Sequence, residues 1–446
     1  MVPRLACVTL LAGVLAAACP WAGPRAELVG HGGVVRAIAV SLDGRRALSA
    51  SFDYSLILWD LIRQTKIRRF VDHNGSVNGV AFVPNGQQAV SASDDGTVRL
   101  WDLTTGMMQH SFQGHVGRVA SVAVSPDGRF AASGGWDHTV RLWDLNGRRL
   151  LRTLHGHNNN VNAVAFAPDG ASLLSGGYDG SLRHWNLADG QVLRIIEGNG
   201  FAINSVDFAP DSRRVISAGV DETVRIWDIG TGVELRRLEG HEGAIMDLDL
   251  SPDGRWVVSV GVDKLILRWD IEAGGPAAFV RGASSALWSV AYHPDGKRFL
   301  TGGADEAVHI WNIRDNGEIE PSHRPADRVE VAVDNSDGRG ARLFRACRAC
   351  HTLNPDGGNK AGPTLYGLFG RRIGSTAGYS YSEVMKRSAI IWDETNVNAL
   401  FDLGPDRFVP GSKMPMQRMP DPKDRADLIS YLKRVTAVNL RQDGKD

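Results

Sequence analysis

Short apolar runs alternate with turn residues along most of the chain, and they recur at a fixed interval. Val119 to Val124 leads to the turn Pro126-Asp127-Gly128, a second run from Phe130 to Ser133 reaches Gly134-Gly135 and Asp137, and a third spans Thr139 to Trp143. Runs of β-type residues bounded by Gly, Asp and Pro predict strands joined by tight turns. Tryptophans stand at Trp59, Trp101, Trp143, Trp185, Trp227, Trp269 and Trp311, each 42 residues after the last. The aspartates Asp53, Asp95, Asp137, Asp179, Asp221, Asp263 and Asp305 keep that step, as do Ser49, Ser91, Ser133, Ser175, Ser217, Ser259 and Thr301. A Gly-His pair opens several units, at His31, His115, His157 and His241, whereas Asn199 and Ala283 take the histidine's place in units five and seven. A lone four-stranded unit has two open edges and too little core, and closing seven into a ring buries each sheet against its neighbours. The period therefore predicts an all-β, seven-bladed propeller over residues 25–312. Arg25 to Val29 should supply the outer strand of the last blade, beside the strands before Trp311.

These units resemble the WD-repeat family, whose repeat is a four-stranded propeller blade. The resemblance implies a chain of hydrogen bonds in each blade, from indole N–H to hydroxyl, hydroxyl to imidazole and imidazole to the turn aspartate. Such a network pins a turn onto a strand, so the repeated Asp, His and Ser are read as scaffold and not as a catalytic triad. Units five and seven, without the histidine, should be less firmly tied.

The pattern changes after Trp311. Residues 313–333 lack the period and hold Pro321 and Pro325, which reads as a linker; residues 334–437 read as a second, all-α domain, and 438–446 as a polar tail. Arg339 to Ala349 has helical spacing and runs into Cys347-Arg348-Ala349-Cys350-His351. A structural disulfide is one reading of the two cysteines. A zinc site would need two further ligands, and no second cysteine pair follows. The C-x-x-C-H order is the attachment sequence for one covalently bound haem c: Cys347 and Cys350 add to the haem vinyl groups from one side of a helical turn, which places His351 as an axial iron ligand.

From Gly338 to about Val435 the chain resembles class I, mitochondrial-type cytochrome c. The residues that carry the resemblance are the haem motif, Gly362-Pro363-Thr364-Leu365, Gly370-Arg371, Gly378-Tyr379-Ser380-Tyr381 and Val409-Pro410-Gly411-Ser412-Lys413-Met414. It implies Met414, over Met416 and Met419, as the second axial ligand, and a Pro363 carbonyl that accepts the histidine's N–H. It also implies Arg371, Tyr381 and Trp392 around the haem and its propionates, with core packing as a second role for the two aromatics. Gly340 and Phe344 should cross a later helix at Leu428 and Tyr431. The stretch between Trp392 and Met414 is one residue longer than the family pattern. With both axial positions filled by His and Met, such an iron shuttles single electrons and binds no substrate.

The whole chain has a formal net charge of zero, so nothing in the balance favours nucleic acid or a membrane surface. The charge is nevertheless divided: from Asp334 onward there are 18 Lys/Arg against 13 Asp/Glu, a net of +5, which leaves −5 for the rest. A positive haem domain suits a redox partner protein that is acidic at its docking face. At the other end, Arg4 and the apolar run Leu5 to Ala18 read as an export signal over residues 1–22, cut after small residues. Pro20 and Pro24 argue against an uncleaved membrane anchor, so no membrane span is expected in the mature chain; a lipid anchor at Cys19 is the alternative. These readings together predict a periplasmic electron carrier with the propeller as docking platform. The alternatives are an oxidoreductase or a redox sensor built on the same parts.

Overall fold

The computed structural model describes residues 27–197, 200–281, 285–322, 338–344, 347, 351–353, 363–377, 379, 381–409, 419 and 421–436. The strands among them form seven antiparallel sheets, one per 42-residue unit. Blade 1 contains Val35–Val40, Arg46–Ser51, Leu56–Asp60 and Thr65–Phe70 in chain order from one edge to the other. Blades 2 to 6 repeat this order. Alternate positions of the middle strands pack between neighbouring blades. Phe70 of blade 1 meets Trp101 of blade 2 with ring centroids 5.5 Å apart, and Phe112 of blade 2 meets Trp143 of blade 3 at 5.4 Å. The seven tryptophans of the repeat are all buried.

Blade 7 closes the ring as the period requires. Its strand Ala307–Ile313 pairs with Glu27–Val29 from the start of the chain, in the register Glu27 to His309, Leu28 to Val308 and Val29 to Ala307. Leu28 is buried to 2% exposure between blades 7 and 1. The strand holds the ring shut by the burial of that side chain together with the backbone ladder.

The linker begins later than the sequence suggested. Ile313 ends a strand rather than starting a linker, and Ile319–Pro321 turns back to pair with it. The turn Asp315-Asn316-Gly317 makes this hairpin, with Gly317 at φ +86°, a conformation that suits glycine. Ile319 is buried in the core shared by blades 6 and 7, and Arg314 pairs with Glu320 across the turn. Two isoleucines six residues apart were too sparse a signal to separate this hairpin from the prolines that follow.

Inside the blades the hydrogen-bond chain is present. In blade 3, Trp143 Nε1 donates to Ser133 Oγ at 2.8 Å, Ser133 bonds His115 Nε2 at 2.8 Å, and His115 Nδ1 bonds the Asp137 carboxylate at 2.9 Å. Blades 1, 2, 4 and 6 repeat it through His31, His73, His157 and His241. Burial works against the Asp95 carboxylate, but His73, Thr97 and the Asn74 N–H hold it well below the ordinary range. Burial pushes the His73 and His241 imidazoles down, toward the neutral form that can accept from serine and donate to aspartate. Residues 199 and 283, on which the weaker ties of units five and seven were argued, lie outside the described residues. In those blades the turn aspartates engage the next strand: Arg225 reaches Asp221 at 2.7 Å and His309 reaches Asp305 at 2.9 Å.

The C-terminal part is helical: α1 (Gly338–Leu343), α2 (Glu383–Arg387), α3 (Glu394–Leu403), α4 (Pro405–Phe408) and α5 (Pro422–Val435). Asp393 caps α3 by accepting from the Asn396 N–H at 2.7 Å. Asp421 caps α5 through the Lys423 N–H, Pro422 occupies its first turn, and Lys433 and Arg434 lie in its last. Where α1 crosses α5, a Cβ on Gly340 would collide with the Asp427 carbonyl oxygen and Tyr431 Cβ. The bare glycine lets the two axes approach. Phe344, fully buried, then meets Tyr431 at 5.6 Å, and both join Leu428 and Leu432 in the core.

Candidate functional site

The site is assembled from the end of the first helical segment, the loop that follows it and the hairpin-like turn before α3. Cys347 is buried against Phe344, Leu368 and Leu428 in the helical core. His351 follows one turn later, its N–H donating to the Cys347 carbonyl at 2.9 Å. This places cysteine and histidine on consecutive turns of one short segment, as the motif requires of the local backbone. Cys350, between them, lies outside the described residues.

His351 has its ring orientation set by a backbone carbonyl. Its Nδ1 is 2.7 Å from the Pro363 oxygen, which can only accept, so the proton sits on Nδ1 and the ring's lone pair on Nε2. Nε2 is the atom a metal would take. A carbonyl acceptor behind the ring fixes both tautomer and ring plane and raises the basicity of the opposite nitrogen.

Arg371 builds the loop that carries Pro363. Its guanidinium donates to the Thr364 carbonyl at 2.7 Å and to the Tyr366 carbonyl at 2.9 Å. Burial pushes this guanidinium below its usual range, with Tyr381 opposing. In the same place Gly370 N–H donates to the Trp392 carbonyl and Trp392 N–H to the Arg371 carbonyl, at 2.8 and 2.9 Å, and Arg372 bridges Ile391. The structure thus brings Pro363, Arg371, Tyr381 and Trp392 into one neighbourhood. Trp392 stacks on Phe408 at 6.1 Å, and Tyr381, 9% exposed, packs edge-on to Tyr379 at 4.7 Å. Met414 and Met416 lie outside the described residues; Met419, described, packs against the helical core.

One residue the sequence reading passed over also bears on the site. Arg425, on α5 and only 7% exposed, donates from Nε to Asn398 Oδ1 at 2.9 Å and from Nη1 to the Met419 carbonyl at 2.5 Å, and it pairs with Asp402 at 3.1 Å. Met419 N–H in turn donates to the Phe401 carbonyl at 2.8 Å. The chain's return from the methionine-bearing stretch is thereby fastened to both α3 and α5. An arginine among apolar residues of a helix face was the only available signal, and it reads equally as a surface charge.

The residues fit a covalently held haem: a buried thiol, an imidazole held through Nδ1, and an apolar core with aromatic rings that have polar tips. No helix among the described residues is long and apolar enough to cross a membrane.

Comparison with known proteins agrees with both halves. The family described as WD domain, G-beta repeat matches seven times, at residues 23–60, 64–102, 106–144, 148–186, 190–228, 232–270 and 274–312. The cytochrome c family matches residues 338–436. Among curated proteins, the chain is 48% identical to a cytochrome c of Sesamum indicum over 101 residues, 22% of this chain and 88% of the relative. It is 41% identical to one of Arabidopsis thaliana over 109 residues, 24% and 96% of the two chains. A cytochrome c of Gibberella zeae is 44% identical over 99 residues, 22% and 92%. These relatives are cytochromes c of plants and a fungus, and they overturn the periplasmic location expected from residues 1–22. Residues 1–26, which include the stretch read as an export signal and Cys19, lie outside the described residues.

Proposed function

This chain belongs to the WD-repeat family and ends in a cytochrome c domain, and on that basis we propose that it is a haem c electron carrier whose propeller holds a redox partner. The cytochrome c domain carries covalently attached haem c, which supplies a one-electron iron couple. In this proposal Cys347 and Cys350 would hold the haem covalently, and His351 and Met414 would ligate its iron. The His351 contact with Pro363 carries the reading, because it presents Nε2 as a ligand and keeps the imidazole from turning.

The other residues of the site then have defined tasks. Arg371 braces the Thr364–Tyr366 loop so that the Pro363 carbonyl stays in place, and its remaining donors are available to a propionate. Trp392 and Tyr381 would exclude water from a haem held there, which would favour its reduced, less charged state. Arg425 keeps the methionine-bearing stretch from loosening at its C-terminal end. The net charge of +5 from Asp334 onward suits docking on an acidic surface, with association that weakens as salt rises.

A spectroelectrochemical titration of the purified holoprotein tests the proposal. A single reversible one-electron wave with a low-spin spectrum in both states is expected. Prompt carbon monoxide binding to the reduced protein at neutral pH would show that Met414 is not a firm ligand and would return an oxidoreductase role to the front.

A further inference from the structure

Each blade places one residue directly before its turn aspartate at the same end of the propeller, where its N–H donates to the loop that leads into the blade. The bonds are Trp136 to Arg118, Tyr178 to Asn160, Val220 to Ala202 and Val262 to Ala244, at 2.8, 2.7, 3.0 and 3.0 Å. Only the backbone of this residue is needed to close the turn. Its side chain is free of that task, and over blades 3 to 6 it is apolar and exposed: Trp136 by 42%, Tyr178 by 51%, Val220 and Val262 by 41% each. Phe201, 61% exposed, joins them, because its backbone lies against Gly180 in the turn of blade 4. Val116, 78% exposed, extends the series beside His115. Six exposed apolar side chains at the same end of successive blades make an apolar arc of the kind that marks an interaction surface.

The arc has an acidic border. Glu197 and Glu239 end the outer strands of blades 4 and 5, Glu222 lies two residues beyond Val220, and Glu242 precedes Gly243, which abuts Val262. All four carboxylates are exposed, and Lys264 is the one exposed cation in these turns of blades 5 and 6. Arg118, which faces Trp136 at 4.6 Å, is already paired with Asp94. The border therefore carries a negative field around an apolar centre, matching the net −5 of the chain before Asp334.

We propose that this arc over blades 3 to 6 is the propeller's docking surface and that its occupant is a separate protein presenting an apolar patch ringed by Lys and Arg. Trp136, Tyr178 and Phe201 act as anchors, since buried aromatic rings dominate the energy of such contacts. The four glutamates steer the partner in and set its orientation. The inference rests on the reading of the propeller as a docking platform. It adds that the partner meets the propeller through a basic face, and the basic haem domain through a different, acidic one.

The test uses the full-length holoprotein and, as probe, a lysine-rich cytochrome c together with the same probe after lysine acetylation. The native probe should bind and protect Trp136 and Tyr178 from hydroxyl-radical oxidation, while the acetylated probe should bind roughly tenfold more weakly. Trp136→Ala/Tyr178→Ala/Phe201→Ala should weaken binding about tenfold or more at every salt concentration. Glu222→Gln/Glu239→Gln/Glu242→Gln, all on the surface, should slow association and flatten its salt dependence without altering the melting temperature. Equal binding of both probes, wild-type affinity in both variants, or an arc already protected in the free protein by its own haem domain or a second copy would overturn the assignment. A protein with a normal one-electron wave and no arc-dependent binding would sink this inference alone, whereas arc-dependent binding without that wave would sink the carrier reading and leave the surface standing.

Discussion

His351 Nδ1 lies 2.7 Å from the carbonyl oxygen of Pro363, so a loop twelve residues downstream decides which way the imidazole faces. Pro363→Ala keeps the carbonyl but frees the backbone that aims it. The expected result is a weaker bond, a less basic Nε2 and a higher midpoint potential, with about 0.4–1 kcal/mol lost from the haem domain through the added freedom of its unfolded chain. Redox titration together with denaturant melts followed in the haem absorbance would show it. An unchanged potential would mean that the carbonyl does not tune the ligand.

Gly340 is the contact point of α1 and α5. Gly340→Ala would force the helices apart, since the new methyl meets the Asp427 carbonyl oxygen and Tyr431 Cβ, neither of which can swing away. Overpacking of this kind costs about 1–3 kcal/mol. The loss should appear in the haem domain's unfolding midpoint and leave the propeller's transition where it was.

Ser133 accepts from Trp143 Nε1 and bonds His115 Nε2, both at 2.8 Å. Ser133→Ala would strand a buried indole N–H and an imidazole nitrogen together. A destabilisation of about 1–3 kcal/mol is expected, larger than for the exposed Ser375→Ala, with hydrogen exchange rising first in blade 3. Equal exchange in all blades would show that the network is not local.

Two kinds of buried ionisable group give the propeller opposite pH responses. The His73 and His241 pKa values are lowered by burial, so the stability they contribute is present above the unfolded value of about 6.5 and is lost as pH falls below it. Asp207 behaves the other way. Burial, with the neighbouring Asp247 adding to it, pushes its carboxyl up to about 7, so its contribution is intact below pH 4 and is lost as pH rises toward 7. Asp207→Asn, which keeps an acceptor for the Phe208 N–H, should therefore raise the melting temperature at pH 8 and leave it nearly unchanged at pH 4. The reverse order in thermal melts would contradict the raised carboxyl.

The sequence made the fold legible because the 42-residue step repeats a complete structural unit, turn residues included. The Trp, Ser, His and Asp of blade 3 could be assigned to one network before any distance was known. The closing strand Glu27–Val29 was legible for the same reason, as the member of the unit missing at the far end. The hairpin at Ile319–Pro321 was not, since it belongs to no repeat and its two isoleucines compete with nearby prolines and charges. In the haem domain, the motif and its likeness to a known family named His351 and Pro363. They gave no sign that Arg371 would turn toward the Thr364 and Tyr366 carbonyls, or that Arg425 would gather Asn398, Asp402 and Met419. Those contacts depend on which backbone and side-chain oxygens the tertiary fold brings within reach of each guanidinium, and no local pattern records that. The leader pattern was read as an address, and the plant and fungal relatives of the haem domain set that address aside.

The strand Ala307–Ile313 is shared by both ends of the propeller: Glu27–Val29 lies along its first half and Ile319–Pro321 along its second. A pull on the haem domain reaches the ring through Ile319–Pro321, three residues that peel away one pair at a time, and Glu27–Val29 is not in the line of force. Force from the C-terminal side would therefore open that short pairing before it loaded the strand that closes the ring.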